Sequence, residues 1–300
     1  MLIRLCFYVT ILIISIHSQL FADVVFIHEY KSVEYMLGKV DGEINFGYSD
    51  NVMYIDKITK FNGNFLKRFF GKVKTGRSTS EFNLKKNAVY EIDWEKEYIY
   101  KYSFDKISDP NWHKEKNKFT KQVNEFSKKR YKVDKPDIFF KFHKKKEMVK
   151  GYLTNPVTIQ LNLKTFDKKK NAASITNIEQ TLWLTKDIKG LKTYSEFNNK
   201  ISEKTGVNSY RLGCLSYILK NFNKSIDSIK ENLVKVKGYP VKSHLHVKGS
   251  YIENLNTEKE KKSTMVFKDE TMILKNVLVT DKLDKKMFSP PFKFAEKIIN

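Results

Sequence analysis

The stretch Y-E-I-D-W-E-K-E-Y-I-Y-K-Y-S-F, residues 90–104, decides the fold prediction. Large apolar side chains occupy every second position on both sides of a charged turn. Alternation with a period of two is typical of a β-strand that buries one face. The two rows are therefore predicted to form a half-buried antiparallel hairpin. Their members are Tyr90, Ile92 and Trp94 before the turn, and Tyr98, Tyr100 and Tyr102 after it.

The length of the turn sets the register of this hairpin. A three-residue connection, Glu95-Lys96-Glu97, would pair Trp94 with Tyr98 and bring both apolar rows to the same face. A two-residue loop would pair Trp94 with Glu97 and direct the two rows to opposite faces. Because register is fixed by matching the apolar faces of neighbouring strands, we predict the three-residue connection.

The first 22 residues predict a secretory signal peptide. A short basic start ending at Arg4 precedes an apolar run over 5–16, and L-F-A-D at 20–23 supplies the small residue for cleavage after Ala22. The apolar run is shorter than the roughly 20 residues of a membrane-spanning helix, although a retained anchor is the alternative. We therefore expect an exported periplasmic or cell-envelope protein with one domain over 23–300.

The charge of the chain is strongly positive. Its 300 residues include 56 Lys and Arg against 34 Asp and Glu, and loss of Arg4 with the signal lowers the formal charge from +22 to +21. A basic excess can indicate nucleic acid or an anionic membrane surface. Here the lysines are spread over almost every segment, which favours solubility, and arginine is scarce. A nucleic-acid partner is therefore disfavoured, whereas an anionic membrane surface stays open as a partner.

Apolar periodicity outside the hairpin predicts many strands and two helices. Tyr194, Phe197 and Ile201 have helical spacing, and a longer apolar stripe predicts a helix from Asn208 to about Val236. Residues 105–135 break the pattern and are predicted to form a helical or loop insertion. The predicted strands lie at 24–27, 43–46, 51–58, 138–143, 157–163, 178–185, 241–253 and 263–279.

Strands with one apolar face need a cover. We therefore predict an α+β fold in which a strongly curved antiparallel sheet, an open half-barrel, wraps around one long helix and a shorter one. The aromatic rows of the hairpin would line its concave face. After the signal only Cys214 is left, so no internal disulfide can form and the core must hold the domain.

Several short motifs resemble one family. They are A-V-Y-E-I-D-W-E-K-E-Y at 88–98, V-K-G-Y-L-T at 149–154, T-L-W-L-T-K-D-I at 181–188, K-G-Y-P-V at 237–241 and F-S-P-P-F-K at 288–293. In this order they resemble an uncharacterised exported bacterial family of the LolA/LolB-like, periplasmic lipoprotein-carrier superfamily. The resemblance implies an open half-barrel over a helical plug. It also implies a cavity like the one that holds acyl chains in the better-known members.

The sequence contains none of the common catalytic motifs. The sequence has no Gly-rich phosphate loop, no G-x-S-x-G and no H-E-x-x-H. We therefore predict no catalytic residues, no cofactor and no metal. His244 and His246 share one face of a predicted strand, but no third metal ligand is visible nearby. Cys214 is interpreted as a buried spectator.

Two functions follow from these observations. In the first, a non-catalytic envelope protein binds a lipid acyl chain or another apolar ligand through Tyr90, Ile92, Trp94, Tyr98, Tyr100 and Tyr102. The same side chains could instead pack on the helix at 208–236 and leave no cavity. In the second function, a structural or interaction module docks to anionic envelope surfaces through its basic exterior, without an internal ligand.

Overall fold

The protein is mainly a β-sheet protein. The computed structural model describes residues 22–35, 38–62, 76–105, 130–134, 136–205, 232, 235–284, 288 and 294–298. Fourteen strands of this part of the chain form one open sheet. No helix among these residues is both long and apolar enough to cross a membrane.

The order of the strands in the sheet largely follows their order in the chain. Their order is β14-β6-β5-β4-β3-β2-β1-β13-β12-β11-β10-β7, with β8 and β9 also paired to β10. All pairs are antiparallel except β14 with β6. The strands are β1 (Asp23–Glu34), β2 (Gly38–Tyr48), β3 (Val52–Phe61), β4 (Gly76–Asn83), β5 (Ala88–Asp93), β6 (Tyr98–Ser103), β7 (Tyr131–Val133), β8 (Asp137–Phe142), β9 (Glu147–Val149), β10 (Tyr152–Asp167), β11 (Ala172–Thr185), β12 (Tyr239–Glu253), β13 (Lys261–Thr280) and β14 (Ala295–Ile298).

One pairing joins two groups of strands. The strands β1 to β6 form an N-terminal antiparallel group, and β10 to β13 form a second one. Strand β1 pairs with β13 over its full length, from Asp23 opposite Thr280 to Glu34 opposite Lys268. A β-bulge between Ile27 and His28 interrupts the register once. The two groups thereby form a continuous sheet.

A single helix, α1 (Leu191–Thr205), packs on one face of this sheet within the described residues. Gly190 precedes it with a φ of +78°, a conformation that favours glycine. A Cβ atom at this position would lie 2.4 Å from Cγ2 of Val24, so only glycine allows the helix to approach β1 this closely. The Thr193 hydroxyl then donates a hydrogen bond to the Ala22 carbonyl oxygen at 2.9 Å.

The main core lies between α1 and the sheet face that it covers, called here the helix face. As predicted from their spacing, Tyr194, Phe197 and Ile201 are buried there. They pack against side chains of β1 and β2, such as Phe26 and Tyr48. A second core lies on β10 to β12. Its buried members include Val157, Ile159, Leu161, Ile178, Leu182 and Leu245.

The predicted strands are confirmed as elements, but the predicted architecture is wrong. The structure is one large open mixed sheet with one 15-residue helix among the described residues, and not a half-barrel wrapped around a long helix. Alternating apolar residues identify the buried face of each strand. They do not specify whether the sheet closes around a helix, because curvature and strand order depend on contacts between distant segments.

The predicted register of the opening hairpin is also wrong. The turn spans 94–97, and Tyr90 lies opposite Lys101 while Asp93 lies opposite Tyr98. This is the register that would direct the two aromatic rows to opposite faces. The turn explains the shift, because the Asp93 carboxylate accepts a hydrogen bond from the Lys96 amide at 3.1 Å and Glu97 adopts a φ of +56°. This Asp-stabilised turn is one residue longer than the predicted connection.

Some predicted segments lie outside the described residues. They are residues 1–21 of the signal peptide and nearly all of the long helix predicted over 208–236, together with Cys214. Most of the insertion predicted over 105–135 also lies outside, although its residues 131–133 form β7.

Replacement of Phe197 tests the core under α1. We expect Phe197→Ala to destabilise the protein by about 3–5 kcal/mol, because it leaves a cavity beneath the helix. Lys192→Ala is the matched control in the same helix, since Lys192 is exposed and pairs with Glu196, and surface changes usually stay within about 0.5 kcal/mol. Chemical denaturation measures both. Equal stability of the two variants would show that α1 does not cover the core.

Candidate functional site

A cavity of about 320 Å³ lies beside α1 on the helix face. Its walls combine residues from both strand groups, since β1 to β4 contribute one side and β11 to β13 the other. The helix closes part of it through Tyr194, Asn198 and Ile201. The other described lining residues are His28, Phe46, Tyr48, Met53, Ile55, Phe82, Gln180, Leu182, Leu184, Val236, Gly238, Tyr239, Pro240, Ser243 and Met272.

Stacked and edge-to-face aromatic rings form one wall of this cavity, with Tyr48, Tyr194 and Tyr239 in the lining and Phe26 behind them. Phe26 stacks on Tyr239 with ring centroids 3.8 Å apart. Tyr194 meets Tyr239 and Tyr48 edge to face, at 4.9 and 5.2 Å. Such ring pairs favour a fixed geometry, and they stabilise the protein by more than the burial of their surface alone. Burial raises the pKa of the Tyr48 and Tyr239 hydroxyls well above the usual value, so both stay neutral.

His28 is a strongly perturbed polar group in the lining. Its Nε2 atom lies 3.2 Å from the Tyr239 hydroxyl. Burial lowers the pKa of His28 to about 4, although the backbone of Pro240 and Phe26 acts in the opposite direction. The imidazole is therefore neutral at pH 7 and adds no charge to the cavity.

The few other polar groups in the lining leave its apolar character unchanged. Asn198 uses its amide nitrogen in a hydrogen bond to the Tyr194 carbonyl oxygen at 2.8 Å. Gln180 and Ser243 are buried among leucine, valine and methionine side chains. A cavity of this kind favours an apolar guest, because apolar cavities tend to stay dry and to take up apolar molecules.

The six residues predicted to bind a ligand do not line this cavity. Tyr90, Ile92 and Trp94 lie on the face opposite α1. Tyr98, Tyr100 and Tyr102 lie on the helix face, because Tyr102 pairs with Val89, which belongs to the core beneath α1. A neighbouring cavity of about 780 Å³ is lined by four of the six, namely Ile92, Trp94, Tyr100 and Tyr102. The structure therefore does not assemble them into one aromatic surface.

Trp94 is held by a polar network and not by apolar contacts alone. Its indole nitrogen donates a hydrogen bond to the Thr79 hydroxyl at 2.8 Å, and the Arg77 guanidinium lies 4.1 Å from the ring centre. Asp56 accepts hydrogen bonds from Arg77 at 2.8 Å and from Thr79 at 2.6 Å. The network holds the Trp94 side chain on the face opposite α1.

His244 and His246 share a carboxylate across the sheet. Asp269 on β13 lies 3.1 Å from Nε2 of His244 and 2.9 Å from Nδ1 of His246. Burial acts to raise the pKa of Asp269, but the two histidine hydrogen bonds outweigh it and lower the pKa. Within the described ranges, no group of three His, Cys, Asp or Glu side chains is arranged to hold a metal ion.

Comparison with known proteins does not establish a family for this chain. Neither a family model nor a curated protein matches the sequence. Among solved structures, a LolA superfamily protein from Nitrosomonas europaea is similar over 90% of both chains, with 9% sequence identity and a TM-score of 0.24. A TM-score this low does not establish a shared fold.

Sequence reasoning missed the residues that do line the 320 Å³ cavity. They lie far apart in the chain, and only the pairing of β1 with β13 brings His28 and Met272 to one site. One local signal was present, because Val24, Phe26, His28 and Tyr30 alternate through the start of β1 and all four are buried. That row marks β1 as the centre of the sheet.

The buried imidazole predicts a pH dependence of stability. The pKa of His28 is about 4 in the folded state against 6.5 in the unfolded chain. The unfolded chain therefore takes up a proton first as the pH falls. The contribution is fully present above pH 6.5 and is lost progressively between pH 6.5 and 4. It amounts to about 3 kcal/mol.

The variant His28→Gln isolates this effect, because glutamine does not titrate and all other titratable side chains stay the same. We expect the free energy of unfolding to fall more steeply between pH 7 and pH 4 in the wild type than in the variant. Parallel stability curves would show that His28 titrates normally in the folded protein.

Proposed function

We propose that the protein is a non-catalytic binding protein of the cell envelope that holds an apolar ligand, such as a lipid acyl chain, in the 320 Å³ cavity. The cavity itself is the observation that supports this function. Its volume lies within the range of about 300–1,000 Å³ that is common for small-molecule sites.

The energetics of an acyl chain fit such a site. Each methylene group that leaves water contributes about 0.8 kcal/mol. A chain of several methylenes can therefore bind without any charged contact inside the cavity. The aromatic wall of Tyr48, Tyr194 and Tyr239, which Phe26 supports from behind, limits rearrangement of the site, so little of this free energy is lost in ordering the protein.

The titratable groups of the lining favour binding over catalysis. The described ones are His28 and three tyrosines, and burial keeps His28, Tyr48 and Tyr239 neutral at pH 7. A general acid or base works best with a pKa near the working pH. The pKa of His28 lies well below that value, and the pKa values of Tyr48 and Tyr239 lie well above it.

Filling the cavity tests the proposal. Met53 and Ile58 lie in β3 on opposite faces, and only Met53 lines the cavity, whereas Ile58 is exposed. We expect Met53→Trp to weaken uptake of a fluorescent fatty acid about tenfold or more, because the larger side chain occupies the space of the guest. Ile58→Trp is the matched control and should bind as the wild type does.

Native mass spectrometry of protein purified from its own envelope complements this measurement. We expect a co-purifying lipid that solvent extraction removes and that is depleted in Met53→Trp. A ligand-free protein that also takes up no fluorescent fatty acid would refute the proposed function.

A further inference from the structure

Large apolar side chains are exposed at the edge of the sheet beside β10. Strands β8 and β9 both pair with β10, β8 opposite residues 157–162 and β9 opposite residues 152–154. The exposed fraction is 40% for Phe142 on β8, 65% for Met148 on β9 and 52% for Leu153 on β10. Apolar side chains that are exposed as a contiguous group are typical of an interaction site.

The strand register places these three side chains on one face. Met148 lies directly opposite Leu153, and Phe142 lies opposite Val157. Leu153 and Val157 are four residues apart on β10, and side chains at even spacing along a strand share a face. Phe142, Met148 and Leu153 therefore form a row that is about 13 Å long.

The hairpin of β9 and the start of β10 uses its other face to pack on the protein. Val149 and Tyr152 pack against the main core. The Glu147 carboxylate accepts a hydrogen bond from the indole nitrogen of Trp183 at 2.8 Å. Because Met148 lies between Glu147 and Val149, its side chain points the other way, into solvent. The apolar row is thus presented by an element that is held in place from behind.

A cluster of positive charge lies within the same edge. Residues 144–146 are three consecutive exposed lysines that connect β8 to β9, between Phe142 and Met148 in the chain. Residues 141–150 contain five lysines and one acidic residue, Glu147. Since the Glu147 carboxylate bonds to Trp183, the exposed side of this edge combines apolar groups with positive charge.

We propose that this edge, called here the basic edge and formed by Phe142, residues 144–146, Met148 and Leu153, docks to the surface of an anionic lipid bilayer. The apolar row enters the boundary between head groups and acyl chains, while the lysines contact lipid phosphates. The charge identifies the partner, because an anionic bilayer offers apolar and negatively charged groups side by side over a whole plane. A protein partner would instead need carboxylates at fixed positions.

This inference goes beyond the proposed function, since it needs no ligand in the 320 Å³ cavity. The sequence left an anionic membrane surface open as a partner, because its lysines are spread over almost every segment. The structure adds the exposed apolar row beside residues 144–146, and this combination assigns the contact to one edge of the sheet.

Flotation with lipid vesicles measures the docking. Protein purified from its own envelope is mixed with vesicles of phosphatidylcholine alone, or of phosphatidylcholine and phosphatidylglycerol in equal parts. The charge variant combines Lys144→Gln, Lys145→Gln and Lys146→Gln. Its matched control carries the same three changes at residues 168–170, which are also consecutive exposed lysines and lie in the turn at the other end of β10.

A second pair of variants tests the apolar row. Met148→Ser removes its most exposed side chain, and Met265→Ser is the control at an exposed methionine of β13. Circular dichroism confirms that each variant is folded.

We expect the wild type to bind the anionic vesicles far more tightly than the neutral ones, and added salt to weaken this binding, because exposed charges are screened. The charge variant should bind about a hundredfold more weakly. Met148→Ser should weaken binding about tenfold at low and at high salt, because an apolar contact is not screened. Both controls should bind as the wild type does.

Three results would overturn the proposal. The first is a wild type that does not bind the anionic vesicles, or that binds both kinds equally. The second is an equal loss in the two charge variants, which would show that total charge and not the basic edge attracts the bilayer. The third is a Met148→Ser variant that binds as the wild type does, since the apolar row would then stay outside the bilayer. Uptake of a fluorescent fatty acid tests the proposed function separately.

Discussion

The pairing of β1 with β13 is the contact on which the rest of the structure depends. It joins segments near the two ends of the described chain, from Asp23 opposite Thr280 to Glu34 opposite Lys268. Closing so long a loop has an entropic cost, but this cost grows only with the logarithm of loop length. Without the pairing, each strand group would expose an unpaired edge, which is a site of unwanted association. The buried row of Val24, Phe26 and His28 stabilises β1 in this central position.

The same pairing creates the apolar cavity. His28 on β1, Met272 on β13 and Tyr239 on β12 lie on strands that are consecutive in the sheet, although β1 is distant in the chain from β12 and β13. Helix α1 completes the site from the side, because Gly190 allows it to approach Val24. The cavity therefore depends on tertiary contacts from both halves of the chain. We expect conditions that separate β1 from β13 to abolish the cavity before they unfold the individual hairpins.

Local patterns in the sequence predicted the elements well. The alternation of Val157, Ile159 and Leu161 identified β10, and the spacing of Tyr194 and Phe197 identified α1 with its buried side. Such patterns depend on residues two to four positions apart, where the geometry of a strand or a helix determines which side chains share a face.

Strand register and partners were less predictable, because they depend on interactions that periodicity does not encode. In the opening hairpin, hydrogen bonding to Asp93 lengthened the turn by one residue and reversed the faces of one aromatic row. The sequence placed an aromatic-lined surface on the opening hairpin. The residues that line the 320 Å³ cavity were not predicted, since Tyr48, Tyr194 and Tyr239 come from three separate elements.

The helix face changes from apolar to polar along β3, β4 and β5, from Met53, Ile55 and Phe82 to Lys57 and Glu91. An apolar cover can pack on Met53, Ile55 and Phe82, where the sheet offers only apolar side chains. The same cover cannot continue over Lys57 and Glu91, because burying either charge without a partner would cost more than the added apolar contact contributes. The face must therefore meet water or a polar ligand at this end.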